Sequence, residues 1–297
     1  MEQKNIVIFG GTGFVGSAIA HAAAEAGYKV TIVTRQPAPP EKGPHAAKYD
    51  YKICEYDKPD NLEAVLEGAY GAINCIGILY ETKHATFDQV HLQLPHNLAK
   101  VAAAQGVQKF VQISSLGVHA ASEYGKTKKR GEMAVRQHFP QATMLRPSVI
   151  FGPEDSFFNM FNKLSRYLPV LPLIGGGQTK LQPVYVGDVA RAAVNALSDA
   201  NALGAVYELG GPEVLTFKQI YQRLFQHTGR KRLLLPLPWS LSYAQGYVFG
   251  LMPKPLLTVD QVKSLEVDNV VTAEAKTLED LGIIPTQLDD VLPQYLR

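Results

Sequence analysis

Residues 5–9, Asn-Ile-Val-Ile-Phe, run straight into Gly10-Gly11-Thr12-Gly13-Phe14-Val15-Gly16, and an alanine-rich amphipathic stretch opens inside that turn. An apolar strand, three glycines at this spacing and then a helix leave few folds open. Gly10 permits the tight turn, Gly13 lets backbone approach a pyrophosphate, and Gly16 lets the helix pack closely on the sheet. The helix N-terminus then offers unpaired N–H groups and partial positive charge to an anion. Gly10, Gly11, Thr12, Gly13, Phe14, Val15 and Gly16 are therefore the expected dinucleotide-binding loop.

The pattern set by this unit continues. Further strands are expected near 29–33, 51–55, 71–76, 109–114 and 143–145, with helices near 14–26, 61–66, 87–105 and 123–138. Such alternation predicts right-handed βαβ units and an α/β, doubly wound parallel sheet of the Rossmann type. Composition shifts after about residue 145, where 147–178 is rich in Pro, Gly and Phe. A strand at 181–186, helices after Asp188 and at 217–228, and a strand at 206–209 follow. The expected organisation is a dinucleotide-binding core over 1–146, to which a segment near 180–210 returns. Residues 147–297 form a smaller, partly interleaved C-terminal substrate region.

Composition excludes several classes. With 46% apolar residues in 297, the chain can bury a large core, and a net charge of +2 with scattered basic residues gives no nucleic-acid footprint. Cys54 and Cys75 make no disulfide framework or zinc spacing, so both are expected as buried reduced thiols near strand ends. The eight histidines are dispersed, and His91 and His96, five apart, do not put two imidazoles on one ion; no metal is expected. The opening residues lack the pattern of a secretory leader, so a cytoplasmic location is expected.

The second strand ends at Thr34-Arg35. An NAD-preferring domain is expected to carry an acid near here for the adenosine ribose. Arginine stands there instead, and a guanidinium can clamp a 2′-phosphate bidentately. NADP(H) is the expected cofactor, with NAD(H) the alternative.

Together with Asn74-Cys75-Ile76-Gly77, Ser114-Ser115, Tyr124-Gly125-Lys126-Thr127-Lys128, the run from Leu145 to Pro153, Gln182 to Val189 and Glu208 to Pro212, the loop resembles the short-chain dehydrogenase/reductase superfamily in its extended, atypical branch. More closely, the chain resembles bacterial relatives of the nucleotide-binding accessory subunit of respiratory complex I. The resemblance implies that Glu55 and Tyr56 hold adenine, although the family usually has aspartate in place of Glu55. It implies that Cys75, Ile76 and Gly77 line the ribose and pyrophosphate, and that Pro147 and Val149 lie against the nicotinamide. Tyr124 and Lys128 would be the chemical pair, with Lys128 also on the nicotinamide ribose and Ser115 steadying a substrate oxygen. Four residues apart on a helix, Tyr124 and Lys128 share a face, and a neighbouring ammonium is expected to lower the phenol's pKa toward neutrality. Only nine positions separate Ser115 from Tyr124, fewer than extended members usually have, which puts the geometry of the three in question.

From 233 to 252 no residue is charged, while Arg230-Lys231-Arg232 precede the run and Lys254 follows it. Pro236 and Pro238 argue against a spanning helix. Trp239, Tyr243 and Tyr247 at four-residue spacing suit a bilayer surface or a respiratory-complex partner contacted through 230–254 at the inner membrane face, or alternatively a pocket wall or subunit contact. Two functions are expected from these residues. One is an NADP(H)-dependent oxidoreductase acting by hydride transfer on a small carbonyl or quinone-related, less polar substrate. The other is a non-catalytic nucleotide-binding assembly or regulatory protein of the respiratory chain or quinone pathway. A sugar-nucleotide epimerase or dehydratase fits the fold less well, because the short segment before Tyr124 leaves less active-site wall.

Overall fold

The computed structural model describes residues 3–35, 49–56 and 58–296. Its first half runs β1 (Asn5–Phe9), α1 (Phe14–Glu25), β2 (Lys29–Thr34), β3 (Tyr49–Ile53), α2 (Pro59–Leu66), β4 (Gly71–Asn74), a π-helical turn (Asp88–Gln93), α3 (Leu94–Ala104), β5 (Lys109–Ile113), α4 (Glu123–His138) and β6 (Thr143–Pro147). The chain continues through β7 (Ile150–Phe151), α5 (Phe157–Tyr167), β8 (Val170–Ile174), β9 (Lys180–Leu181), β10 (Val184–Tyr185), α6 (Val186–Ser198) and β11 (Val206–Leu209). It ends with β12 (Leu215–Thr216), α7 (Phe217–Thr228), β13 (Leu233–Leu237), α8 (Trp239–Gly250), α9 (Val259–Ser264) and α10 (Leu288–Val291).

Seven strands form one parallel sheet in the order β11-β6-β5-β4-β1-β2-β3. Both faces are covered, so alternate residues of one strand enter different cores. Ile6 and Ile8 of β1 pack with Ile19 of α1 and Val189 of α6, whereas Val7 and Phe9 pack with Leu62 of α2, Leu98 of α3 and Val135 of α4. A third core, around Phe158, Phe217, Tyr221 and Leu292, belongs to the C-terminal half. The returning strand β11 pairs with β6, which closes that edge of the sheet with residues far along the chain.

Several boundaries differ from the sequence expectation. The strand expected at 181–186 is two short pieces, β9 and β10, because Pro183 cannot donate to a ladder and the helix already begins at Val186. β3 sits two residues earlier than expected. The aromatic stretch within 147–178 contains α5 and β8, and β13 carries Pro236. That proline is tolerated because β13 pairs only with β8, in a separate two-stranded ribbon.

The glycine loop is where local geometry is tightest. Gly10 has φ of +80°, a left-handed conformation that suits glycine. A Cβ on Gly16 would lie 2.1 Å from the Gly10 carbonyl oxygen, so α1 seats directly on the backbone of the loop. At Gly13 a Cβ would meet only that same oxygen, at an ordinary 3.4 Å. Gly16→Ala is therefore expected to cost ~1–3 kcal/mol through overpacking, while Gly13→Ala, in an extended cap position, stays within about 1 kcal/mol of the parent. Urea unfolding of the two variants checks the contrast.

Candidate functional site

In a fully parallel sheet, whatever follows a strand lies on one edge. Gly10 follows β1, Arg35 follows β2, Glu55 and Tyr56 lie beyond β3, and Cys75, Ile76 and Gly77 follow β4. Ser115 lies just past β5, Pro147 ends β6 and Val149 is two residues on. The expected site residues thus share the C-terminal edge of the sheet. Strand order reverses between β1 and β4, and open α/β sheets bind ligands in the crevice at such a switch. Gly10 and Ile76 meet there: a Cβ on Gly10 would stand 3.1 Å from the Ile76 side chain.

The phosphate side of this crevice fits a dinucleotide. Helix α1 has no side-chain cap, so its first N–H groups have no side-chain partner and face outward past Gly13. Beyond β2, the exposed Arg35 lies close enough to Tyr56 for its charge to pull the phenol down, although burial carries that phenol up to about 12. The Tyr56 hydroxyl donates to the Val33 carbonyl (3.2 Å) and its ring stands edge-on to Phe9. Glu55 is exposed and ion-paired with Lys58, so the adjacent lysine competes for the carboxylate expected to hold adenine.

Helix α4 carries Tyr124 and Lys128, and three contacts hold it. Ser122 caps it by accepting from the Gly125 N–H (3.2 Å). Asp260, from α9, accepts from the N–H groups of Glu123 (2.7 Å) and Tyr124 (3.0 Å). One turn beyond Lys128, Glu132 takes two hydrogen bonds from Arg146 of β6 (3.0 and 2.6 Å), a bidentate pair that ties the helix to the sheet.

The short segment between Ser115 and Tyr124 does not separate them. It forms a 3₁₀ turn over Leu116–His119, capped by the Ser115 hydroxyl accepting from the Gly117 N–H (3.0 Å). The same hydroxyl hydrogen-bonds the Tyr124 phenol. Lys128 is 7% exposed; its Nζ stands 5.9 Å from the centroid of the Tyr124 ring and donates to the Ile113 carbonyl at 3.4 Å. It also lies beside Gly77, 3.2 Å from where a Cβ there would stand.

The electrostatics correct one expectation. Burial raises the Tyr124 phenol, and the partial offset comes from the Ser115 hydrogen bond rather than from Lys128. The ammonium is itself the perturbed group, brought down to about 8 by burial, with the charge of Glu132 acting the other way. Burial carries the Cys75 thiol up to about 12. The phenol is thus neutral near pH 7, and the lysine titrates close to it.

The spacing of His91 and His96 gives His91 no metal role, and the structure places it in this cluster. Its ring is 5.2 Å from Tyr124, edge-on, and stacks on Phe87 at 5.3 Å. The Ile78 N–H donates to Nε2 (3.1 Å), which leaves the proton on Nδ1 to be donated to Thr127 Oγ1 (3.3 Å). Burial and the Lys128 charge hold its pKa down at about 2, so the imidazole is neutral. The π-helical turn supplies the signal: its extra residue interrupts the helical spacing at His91, a feature common at functional sites.

Elsewhere, a cavity of about 480 Å³ opens beside β6 and β11, lined by Arg146, Glu208, Thr272 and Lys276 among others, and touches none of Ser115, Tyr124 or Lys128. Among the described residues, no helix is long and apolar enough to cross a membrane.

The chain has relatives among known proteins. The chain is 32% identical to NADH dehydrogenase [ubiquinone] 1 alpha subcomplex subunit 9, mitochondrial, of Arabidopsis thaliana, over 97% of its own length and 76% of that protein's. It is 27% identical to the ceramide reductase of Caulobacter vibrioides, over 78% and 73% of the two chains. Among solved structures, the triphenylmethane reductase of Citrobacter sp. superposes with a TM-score of 0.78 at 18% identity, covering 98% of this chain and 99% of that one, a likeness of fold. The sequence profile of the NAD dependent epimerase/dehydratase family matches residues 6–210, through the glycine loop, the α4 pair and the returning strand β11. On that match and on these relatives, the chain belongs to the NAD dependent epimerase/dehydratase family of the short-chain dehydrogenase/reductase superfamily.

Proposed function

We propose that the protein is an NADP(H)-dependent oxidoreductase that transfers hydride to or from an apolar carbonyl or quinone-related compound. The observation that carries this reading is the convergence of Ser115, the Tyr124 phenol and the buried Lys128 at the sheet edge that holds the glycine loop. A relative named for reducing a ceramide supports the apolar substrate class.

In this reading Gly10 to Gly16 hold the pyrophosphate, and Arg35 clamps the 2′-phosphate. Glu55 and Tyr56 border the adenine, Cys75, Ile76 and Gly77 line the ribose and pyrophosphate, and Pro147 and Val149 flank the nicotinamide. Bound NADP(H) supplies the hydride chemistry. Ser115 steadies the substrate oxygen by hydrogen bonding. Tyr124, kept neutral by burial, donates its proton to that oxygen as negative charge develops there. Lys128 stabilises the phenolate left behind and holds the nicotinamide ribose while it remains an ammonium.

A second reading has one specific observation in its favour. The Arabidopsis relative is named as a complex I subunit and matches nearly the whole chain. On this reading the protein binds the nucleotide for structural reasons and associates with a respiratory complex at the inner face of the membrane, without turnover.

Cofactor choice tests the binding half. NADP(H) is expected to bind more tightly than NAD(H), and Arg35→Ala to weaken only NADP(H), by roughly ten- to a hundredfold for one charge-assisted contact. Gly13→Val, whose side chain would enter the space open on the protein side, is expected to abolish binding of both while leaving the fold intact. Calorimetry reads all three. Equal affinities unchanged by Arg35→Ala remove the arginine's assigned role.

Turnover tests the catalytic half. Tyr124→Phe is expected to slow single-turnover hydride transfer by about 10²–10⁴-fold with cofactor affinity unchanged. Because Lys128 titrates at about 8 and its role needs the charged form, the rate is expected to fall as pH rises through that value. Lys128→Met lowers the rate and flattens that step. Short quinones, aldehydes and ketones with NADPH provide the assay, and a Tyr124→Phe enzyme that keeps the parent rate contradicts the mechanism.

A further inference from the structure

Helix α8 is inverted. Its buried positions are Ser242 and Gly246, while Leu241, Tyr247, Val248 and Leu251 face outward, the last three at 67%, 61% and 75% exposure. The inward side is shaped for close approach: a Cβ on Gly246 would stand 3.0 Å from the backbone of Thr258 and Val259, at the start of α9. Leu241, Val248 and Leu251, with Ala244 between them, follow the i, i+3, i+7, i+10 spacing of a single helical stripe. The β8–β13 ribbon joins this surface. Its register sets Leu233 opposite Val170 and Leu235 opposite Pro172, and Leu233, Val170 and Leu235 are exposed. Trp239, the first residue of α8, lies against Gly175 at the end of β8, so ribbon and helix adjoin. Exposed apolar side chains this concentrated mark an interaction surface.

Charge around the surface selects its occupant. The two chain stretches that build it, 166–175 and 230–254, contain no Asp or Glu. Arg166, Lys231 and Lys254 are exposed at its margins, and the pKa of Arg230 is lowered by burial first and then by the nearby charges of Arg166 and Arg232. Glu266 meets α8 at Tyr243, which is off the exposed stripe. An apolar stripe bordered by cations matches the interfacial region of a bilayer with anionic headgroups, where side chains insert and bases meet phosphate.

We infer that α8 and the β8–β13 ribbon seat the protein peripherally on an anionic bilayer surface. The inference stands apart from the nucleotide reading, since none of these residues belongs to the α4 cluster. Each basic residue near such a surface contributes about fivefold to partitioning, and added salt screens it.

The test is vesicle co-sedimentation of the full chain without nucleotide. Phosphatidylcholine vesicles containing phosphatidylglycerol are expected to bind the protein strongly at low salt, and pure phosphatidylcholine vesicles weakly. The double variant Val248→Asp/Leu251→Asp is expected to lose binding with an unchanged thermal midpoint. Lys231→Glu/Lys254→Glu is expected to weaken binding more than tenfold, since two bases at about fivefold each are removed. Failure to bind anionic vesicles overturns the inference, as does binding that both variants retain. Sedimentation equilibrium adds a third readout: a dimer that Val248→Asp/Leu251→Asp dissociates would assign the face to a second copy of the chain and overturn it too.

Discussion

The backbone contact between Gly16 and Gly10 sets the position of everything built on the sheet edge. With no side chain at residue 16, α1 descends onto the carbonyl of Gly10 and points its uncapped N-terminus across the turn. That seating keeps Gly10 against Ile76, so the loops after β1 and β4 meet at the reversal of strand order. A displaced α1 would also lose its packing on α6 and β1 through Ile19, and with it much of one of the two cores that keep the strands parallel. Loop geometry and sheet packing are therefore one constraint, satisfied by the absence of one methyl group.

On the opposite face, α4 faces a different problem, because it must present polar groups from a largely buried helix. Lys128 and Glu132 lie one turn apart and are both buried. A buried ammonium is costly unless neighbours compensate. Glu132 does so in part, but it is also committed to Arg146, which reaches Glu208 at 3.6 Å. The ammonium is thus under-compensated, which fits its pKa falling to about 8 rather than remaining near the ordinary lysine value. His91 adds no charge, since its Nε2 lone pair is taken by the Ile78 N–H and burial keeps the ring neutral. The cluster leaves one group poised near neutral pH.

How much of this was legible in the sequence depends on the range of the interactions involved. The bounds of α4 are readable because they are local: Ser122 caps the helix from within its own sequence, and the four-residue spacing of Tyr124 and Lys128 puts both on one face. The glycine loop was readable for the same reason. α5 was hidden because its aromatic residues serve a core assembled from remote segments, with Phe161 packing on Phe217 and Tyr221. β13 was masked by Pro236, whose missing donor does not matter on a strand paired along one side only. Ser115, Tyr124 and Lys128, which the structure brings together, are singled out by motif, whereas Asp260 bonds the Tyr124 backbone from 136 residues away and has no local signature. The direction of the phenol's shift is not legible in the sequence, because spacing reports proximity to a charge and is silent about desolvation, which governs here.

Asp260 also shows how the C-terminal surface and the α4 cluster share one mechanical element. Helix α9 meets α8 where Gly246 admits the backbone of Thr258 and Val259, and two residues later its carboxylate receives the first N–H groups of α4. A carboxylate at a helix N-terminus is favoured by both hydrogen bonding and the helix dipole, so this is a firm joint rather than a chance surface contact. Gln261 makes a further bond from the same helix to the Leu79 carbonyl, in the loop that follows Gly77 (3.5 Å). α9 thereby bridges the loop after β4 and the helix of Tyr124, while its other side receives α8. A short helix of six residues could not hold that geometry by its own propensity. Its Thr258–Gln261 capping box and the buried Val262 supply the order instead. The rigidity of the bridge comes from tertiary contacts at both ends, which makes the position of α8 relative to Tyr124 a property of the fold.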